Sequence, residues 1–378
     1  MLMAEKYNSK QLVHEVGGGR AAFNLHGPNW LDTNCDLNII DNNPKVLALH
    51  QANMRESMRQ AYETGQLTFR RLGELATRPD IIDITTASGH HVEAIHKTLE
   101  ELAARGEKGS DLTWLIEKPA VSSDAEMQQM LDLFKAGDLD IDRTFINGHY
   151  AASHTLARAC EIIASETKDG KNPVQYVDVV FNKNRVPDVN EGRFTDPQLR
   201  AYGIEMPHQL TIGYTLAGVK PVDGLPEIIE NKHYEQALDV PNSQGNFTAI
   251  RAKNGVVIRM AQGLGPYTMH ANGAIYPRDD QPVERYAEVI FNDKRRVRLD
   301  LSPVPGIPSS YNRITWMDEN GDVKRETIQD RIFQTIMGGI ALFSATGQRP
   351  SFDKAFSPPM GLAYAATLEY FAKDGLRQ

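Results

Sequence analysis

The sequence predicts an α/β protein: an N-terminal Rossmann dinucleotide-binding domain over residues 1–148, then an α+β domain over 149–378 with a large, mostly antiparallel open sheet. Three observations carry this reading. Apolar strand-like segments alternate with helical periodicity through the first domain, the pattern of a parallel sheet covered by helices. A triple glycine, Gly17-Gly18-Gly19, closes the first of those strands. In the second domain the pattern changes to consecutive hairpins.

Element by element, residues 11–16 read as a strand running into the glycines, and 36–40 (Asp-Leu-Asn-Ile-Ile) as a second strand closed by Asp41-Asn42-Asn43-Pro44. Residues 81–85 and 112–116 are apolar strands, and 143–147 ends the series. Between them, Val92, Ile95, Leu99 and Leu102 recur at helical spacing, and Ser123-x-x-Glu126 is a capping box ahead of Met127, Met130, Leu131 and Phe134. Gly27-Pro28 is expected to end the helix after the glycines within about two turns, since proline cannot continue a helical ladder. In the second half, segments 247–252 and 256–261 flank Lys253-Asn254-Gly255, 286–291 and 296–301 flank a turn, and 314–317 and 323–327 flank another. Residues 176–181 add a strand. Helices near 207–216, 331–345 and 361–372 are expected to cover one face of the resulting sheet.

Composition narrows the function. Of 378 residues, 41 are Lys or Arg and 49 are Asp or Glu, a net charge of −8 that disfavours nucleic acid or an anionic membrane as partner. Two cysteines, Cys35 and Cys160, allow neither a disulfide framework nor a zinc knuckle, so no metal is expected. No apolar run reaches the ~18 residues of a membrane span. The expectation is a soluble cytoplasmic protein acting on a small molecule.

The chemistry-bearing motifs lie at strand ends. Gly17-x-Gly19-Arg20-x-Ala22 fits a GxGxxA turn, in which glycines let backbone N–H groups approach a pyrophosphate at a helix start. Asp41 ends the next strand, where an acid accepts the two ribose hydroxyls of NAD and repels the 2′-phosphate of NADP; its alternative is an exposed turn residue. Glu117-Lys118-Pro119 follows an apolar strand at its carboxyl end, the side on which open α/β sheets place ligands. Lys118 there can hold a substrate oxygen. Glu205-Met206-Pro207-His208 opens an apolar helix, with Pro207 suited to its first turn. His208 is a candidate proton acceptor and Glu205 its orienting acid, against the simpler reading of a helix-terminal histidine with a capping carboxylate. His149-Tyr150 lies at the domain boundary, as a substrate contact or a polar hinge. The adjacent His90 and His91 do not converge on one ion, and His91 is placed near the cofactor.

In this order the parts resemble the Gfo/Idh/MocA oxidoreductase family over nearly the whole chain, on Gly17-x-Gly19-Arg20-x-Ala22, Asp41, the stretch from Asp83 through Thr85 and Thr86 to His91, and Glu117-Lys118-Pro119. The resemblance implies NAD (or, less, NADP) bound by Gly17, Gly19, Arg20, Ala22, Asp41, Thr85, Thr86, His91, Glu117 and Lys118. It implies Lys118 and His208 as catalytic residues, with Glu205 standing where the family has an aspartate one position earlier, here Ile204. Substrate would meet Lys118, His149, Tyr150, Glu205 and His208. The pair His149-Tyr150 is also similar to one in the glucose-6-phosphate dehydrogenases that opens a phosphate-binding stretch, although the lysine expected four residues on is Ser153. The implied activity is hydride transfer between the nicotinamide and a hydroxyl or keto carbon of a sugar, cyclitol or related polyol, phosphorylated or not, in a homodimer or homotetramer. The alternatives are a lyase or glycosidase using transient oxidation, and a non-catalytic dinucleotide-binding sensor.

Overall fold

The computed structural model describes residues 10–74, 77–168, 173–191, 196, 198–278 and 283–375. The chain divides into two units, the first running to Asn147 and adding Phe333–Gly361, the second comprising Gly148–Ile332 and the segment from Leu362.

The first unit is built on a parallel sheet of β1 (Leu12–Val16), β2 (Asp36–Ile40), β3 (Leu67–Arg70), β4 (Ile81–Ile84), β5 (Thr113–Ile116) and β6 (Thr144–Ile146), in the order β3-β2-β1-β4-β5-β6. Every neighbouring pair is parallel. This is the doubly wound Rossmann order, which reverses direction beside β1 and opens a crevice there. All four residues of β4 and of β5 are buried, as helices on both faces require. The strand β3 has no counterpart in the sequence reading. Only Leu67 of its four residues is buried, so an edge strand this short gives no periodic signal.

The helix after Gly19 does not stop at Gly27-Pro28. In a regular α-helix the ring of Pro28 would clash with the carbonyl four residues back. A π-turn over Ala22–His26 removes the conflict: the Gly27 N–H reaches the Ala22 carbonyl, and an α segment, Gly27–Asp32, restarts with Pro28 in its first turn. His26 and Trp30 are thereby carried on one continuous helix, both fully buried.

A second difference concerns the helix Ile332–Thr346, expected on the second domain's sheet. From Phe333 onward it belongs to the first unit, so the expected domain 149–378 is interrupted by 333–361. Its apolar face decides this. Phe343 stands edge-on to Phe145 of β6 with ring centroids 5.1 Å apart, and Met337 and Ile340 are fully buried.

The second unit holds an eight-stranded sheet of β7 (Val174–Asn182), β8 (Glu227–Glu235), β9 (Gln244–Arg251), β10 (Val257–Gly263), β13 (Glu284–Phe291), β14 (Arg296–Asp300), β15 (Tyr311–Met317) and β16 (Val323–Gln329); β11 (Tyr267–Met269) and β12 (Ile275–Pro277) form a separate ribbon. The order is β16-β15-β14-β13-β7-β10-β9-β8, antiparallel throughout except for the parallel pair β7·β10. All three expected hairpins are present. The edge strand β8, mostly exposed, and the ribbon strands β11 and β12 are absent from the sequence reading.

Helices His154–Glu166 and Met206–Ala217 lie on this sheet, their Leu156, Ala159, Leu210 and Ile212 sharing one core with Val177, Val179, Ile258 and Met260. Gly213 sets the approach, since a Cβ there would come within 2.8 Å of Ile258 Cγ2. The buried Gln209 amide donates to the Val179 and Ala261 carbonyls at 2.9 and 2.7 Å, fixing the helix in register with the strands. Among the described residues no helix is long and apolar enough to cross a membrane.

Candidate active-site elements on the two units

On the first unit, the crevice beside β1 is a cleft of about 200 Å³ lined by Gly17, Asp41, Leu72, Thr86, His90 and Lys97 among others. Gly17 is required at its floor. Its φ of +111° and a distance of 2.6 Å from an added Cβ to the Thr86 amide nitrogen leave no room for a side chain. The Thr85 hydroxyl donates to the Gly17 carbonyl at 2.8 Å and locks the turn from the neighbouring strand. Gly19 has no atom within 4 Å of a hypothetical Cβ, so the surface above it is open. Arg20 is exposed and Ala22 buried, so of these two only Arg20 faces solvent.

Asp41 is half-buried at the mouth. Its two carboxylate oxygens accept the N–H groups of Gly18 and Asn43, each at 2.8 Å. This ties the glycine turn to the end of β2 and leaves lone pairs on both oxygens for further donors. Thr86 borders the cleft, but His91 does not. His91 is buried beneath it, its two ring nitrogens 2.9 Å from the Pro119 and Thr86 carbonyls, and burial lowers its pKa. It is a strut between two loops. Its neighbour His90 is exposed, 3.4 Å from Glu93, so the two rings point to different surroundings.

Lys118 is half-buried at the carboxyl end of β5, joined to Pro119 by a cis peptide bond. Glu117 organises this turn. Its Oε1 accepts from the Asn147 amide at 2.5 Å and faces His26 Nε2 at 3.1 Å, while its Oε2 accepts the Lys118 N–H at 3.2 Å. The other nitrogen of His26 lies 2.8 Å from Asp83 Oδ2, which also accepts from the Trp30 indole at 2.7 Å. Burial opposes a charge on His26, but the carboxylates of Asp83 and Glu117 outweigh it and hold its pKa well above the usual value. Glu15 of β1 lies in the same buried region with neither carboxyl oxygen hydrogen-bonded, and burial, with Asp83 next, pushes its pKa well up. Burial thus favours the neutral form of Glu15, and the surrounding carboxylates favour the charged form of His26.

On the second unit, His208 occupies the first turn of the helix Met206–Ala217, behind Pro207. Its ring lies 4.1 Å from that of His149, 5.5 Å from Tyr150 and 6.4 Å from Phe181, centroid to centroid. The structure therefore brings the three predicted residues His149, Tyr150 and His208 together. Burial pushes the Tyr150 hydroxyl up to about 12, so it stays protonated. Glu205 precedes the helix, but its side chain makes no capping hydrogen bond. It turns to Arg185 at 2.5 Å and Arg285 at 3.8 Å. The capping reading fails.

Several residues of these sites have no place in the sequence reading: Glu15, His26, Asn147, Lys183, Arg185 and Arg285. The signal for Glu15 and Asp83 was a charge inside strands that should be wholly apolar in a covered parallel sheet. That for Lys183 and Arg185 was two cations just past a strand end. Arg285 comes from a distant strand and left no local sign.

No model of a known protein family matches the chain, and no curated protein matches its sequence. Its fold does match solved structures. A 3-ketoreductase from Actinomadura kijaniata, in complex with NADP and TDP-benzene, aligns with a TM-score of 0.66 at 12% identity over 97% of this chain and 98% of its own. An oxidoreductase from Agrobacterium radiobacter, in complex with NAD+, L-tartaric acid and magnesium, gives 0.62 at 12% identity over 97% of each chain. An oxidoreductase from Thermotoga maritima gives 0.65 at 13% identity, again over 97% of each. At such identities the likeness defines the fold: the chain shares with these solved structures a Rossmann unit combined with a large open sheet.

Proposed function

We propose that the chain is an NAD-dependent oxidoreductase acting on a CH–OH or keto carbon of a sugar, cyclitol or related polyol. The observation that carries this reading is the cleft at the reversal of strand order, with Gly17 at its floor and Asp41 at its mouth. The residues present fit a dinucleotide: a turn that admits no side chain, an open surface above Gly19, and a carboxylate with lone pairs to spare. When bound, the nicotinamide supplies the hydride acceptor or donor.

Lys118, steadied by Glu117, holds the substrate oxygen and offsets the negative charge that develops on it. His208 takes the hydroxyl proton in the oxidative direction and returns it in reduction. His149 and Tyr150 flank that ring and orient the polyol. Asp41 accepts the ribose hydroxyls, and its charge disfavours a 2′-phosphate. Asp41→Ala is therefore expected to weaken NAD binding and to narrow its advantage over NADP; calorimetric titration showing equal or tighter NADP binding by the unmodified chain contradicts the preference. The activity itself is tested by incubating the chain with NAD and a panel of polyols, polyol acids and phosphates while following reduced-nicotinamide absorbance. Substrate-dependent reduction is expected, and its absence across the panel with either dinucleotide overturns the proposal.

A further inference from the structure

We propose that Lys183, Arg185 and Arg285 form an anion subsite next to His208, and that the substrate is a polyol bearing a carboxylate or phosphate group. The inference rests on the reading of His208 as the group that meets the reacting carbon.

The cluster is built by the sheet. Arg285 on β13 pairs in register with Phe181 on β7, and its guanidinium lies 5.5 Å from the centre of the Phe181 ring. That same ring neighbours Tyr150 and His208. Lys183 and Arg185 follow directly from β7, their backbone N–H groups tied to the Gly263 and Leu264 carbonyls at 2.8 and 3.1 Å. Arg185 is braced by Asp188 at 3.0 Å and by Glu205. Arg285 is braced less completely. Besides the 3.8 Å approach to Glu205 it donates to the Ser302 carbonyl at 3.4 Å, and its buried Nε has no hydrogen-bond partner.

Charge decides what the cluster is for. Among the described residues, three cations face two carboxylates, Glu205 and Asp188, and Lys183 enters no ion pair in this largely desolvated place. Lys183 registers the imbalance: burial, then Arg185 and Arg285, bring its pKa down to about 8 against the opposing pull of Glu205 and Asp188. A purely structural ion-pair network gains by balancing its charges, because an unpaired buried charge is costly. Retained surplus charge suits a site whose counter-ion arrives with the ligand. The side chains of Arg185 and Arg285 stay 14% and 21% exposed, so they can be reached. A guanidinium offers the planar pair of donors that a carboxylate or phosphate accepts. Neutral polyols would leave the surplus unanswered.

Binding to the intact chain, measured by calorimetry without any dinucleotide, tests this apart from turnover. The probes are gluconate, glucose phosphorylated on its primary hydroxyl, and glucitol as the neutral counterpart. At least one anion is expected to bind where glucitol does not, and which one identifies the group. Arg285→Gln and Lys183→Gln are each expected to weaken that anion by about tenfold or more, the scale of one charge-assisted contact, while His208→Asn leaves it bound. Lys183 is half-buried and outside the Glu205 pairing, so its variant keeps the test open if Arg285→Gln fails to fold. Glucitol binding as tightly as the anions, no binding of either anion at millimolar concentration, or unchanged anion affinity in folded variants overturns the subsite. Anion binding without any hydride transfer would leave the subsite standing and remove the proposed activity.

Discussion

His208→Asn is expected to lower turnover by roughly 10²–10⁴, the usual worth of a positioned acid–base group, while dinucleotide affinity stays unchanged. Asparagine keeps a similar shape and hydrogen-bonding capacity but cannot take the proton. The expectation separates a proton acceptor from a packing residue, because His208 also stacks among His149, Tyr150 and Phe181. A structural role predicts lower stability with near-normal turnover in whatever remains folded. Lys118→Ala is expected to reduce turnover as well, by weakening the hold on the substrate oxygen. Steady-state kinetics on an identified substrate, with unfolding curves alongside, check each outcome.

His26→Ala is expected to cost about 3–5 kcal/mol of stability, the scale for removing one partner from a buried ion pair. The loss arises because Asp83 and Glu117 would remain buried without the cation between them. The sign with pH follows from the raised pKa of His26. Below its unfolded value of 6.5 the ring is protonated in both states and its contribution is whole; the contribution is lost as pH rises through the elevated folded value. The gap between the unmodified chain and His26→Ala should therefore narrow in alkaline solution. Glu15 behaves differently. Its folded pKa is also raised, so above its unfolded value of 4.5 only the unfolded chain releases the proton readily, and stability falls as pH climbs. Glu15→Gln carries no such proton and should be the more stable chain at neutral pH. Denaturant titrations of the three proteins across pH check both expectations; a Glu15→Gln variant less stable than the unmodified chain at neutral pH would show the carboxylate to be ionised and paired.

The fold was legible wherever a segment carried its own pattern. Five of the six Rossmann strands, all but β3, and the three hairpins are apolar or alternating runs with strong turn residues, and each is found where those residues place it. The edge strands β3 and β8, each mostly exposed or half-buried, were silent because they bury too little to enforce a period. The fate of Gly27-Pro28 was misread for another reason: proline forbids one hydrogen bond, and a π-turn supplies a different one. At the sites, Gly17, Asp41, Lys118 and His208 stood out because strand and helix ends are marked locally. The partners that set their chemistry come from elsewhere in the chain. Glu117 is held by His26 and Asn147, and Glu205 is claimed by Arg185 and Arg285, none of which its own neighbourhood reveals.

The proposed activity requires dinucleotide binding in the cleft beside β1. Calorimetric titration of NAD into the purified chain addresses it without knowledge of the substrate. One saturable site per chain is predicted, with NAD preferred over NADP and the affinity sharply reduced in Gly17→Val, whose side chain would meet the Thr86 backbone. A chain that is folded yet takes up neither dinucleotide at millimolar concentration would contradict the reading of this protein as a nicotinamide-dependent oxidoreductase.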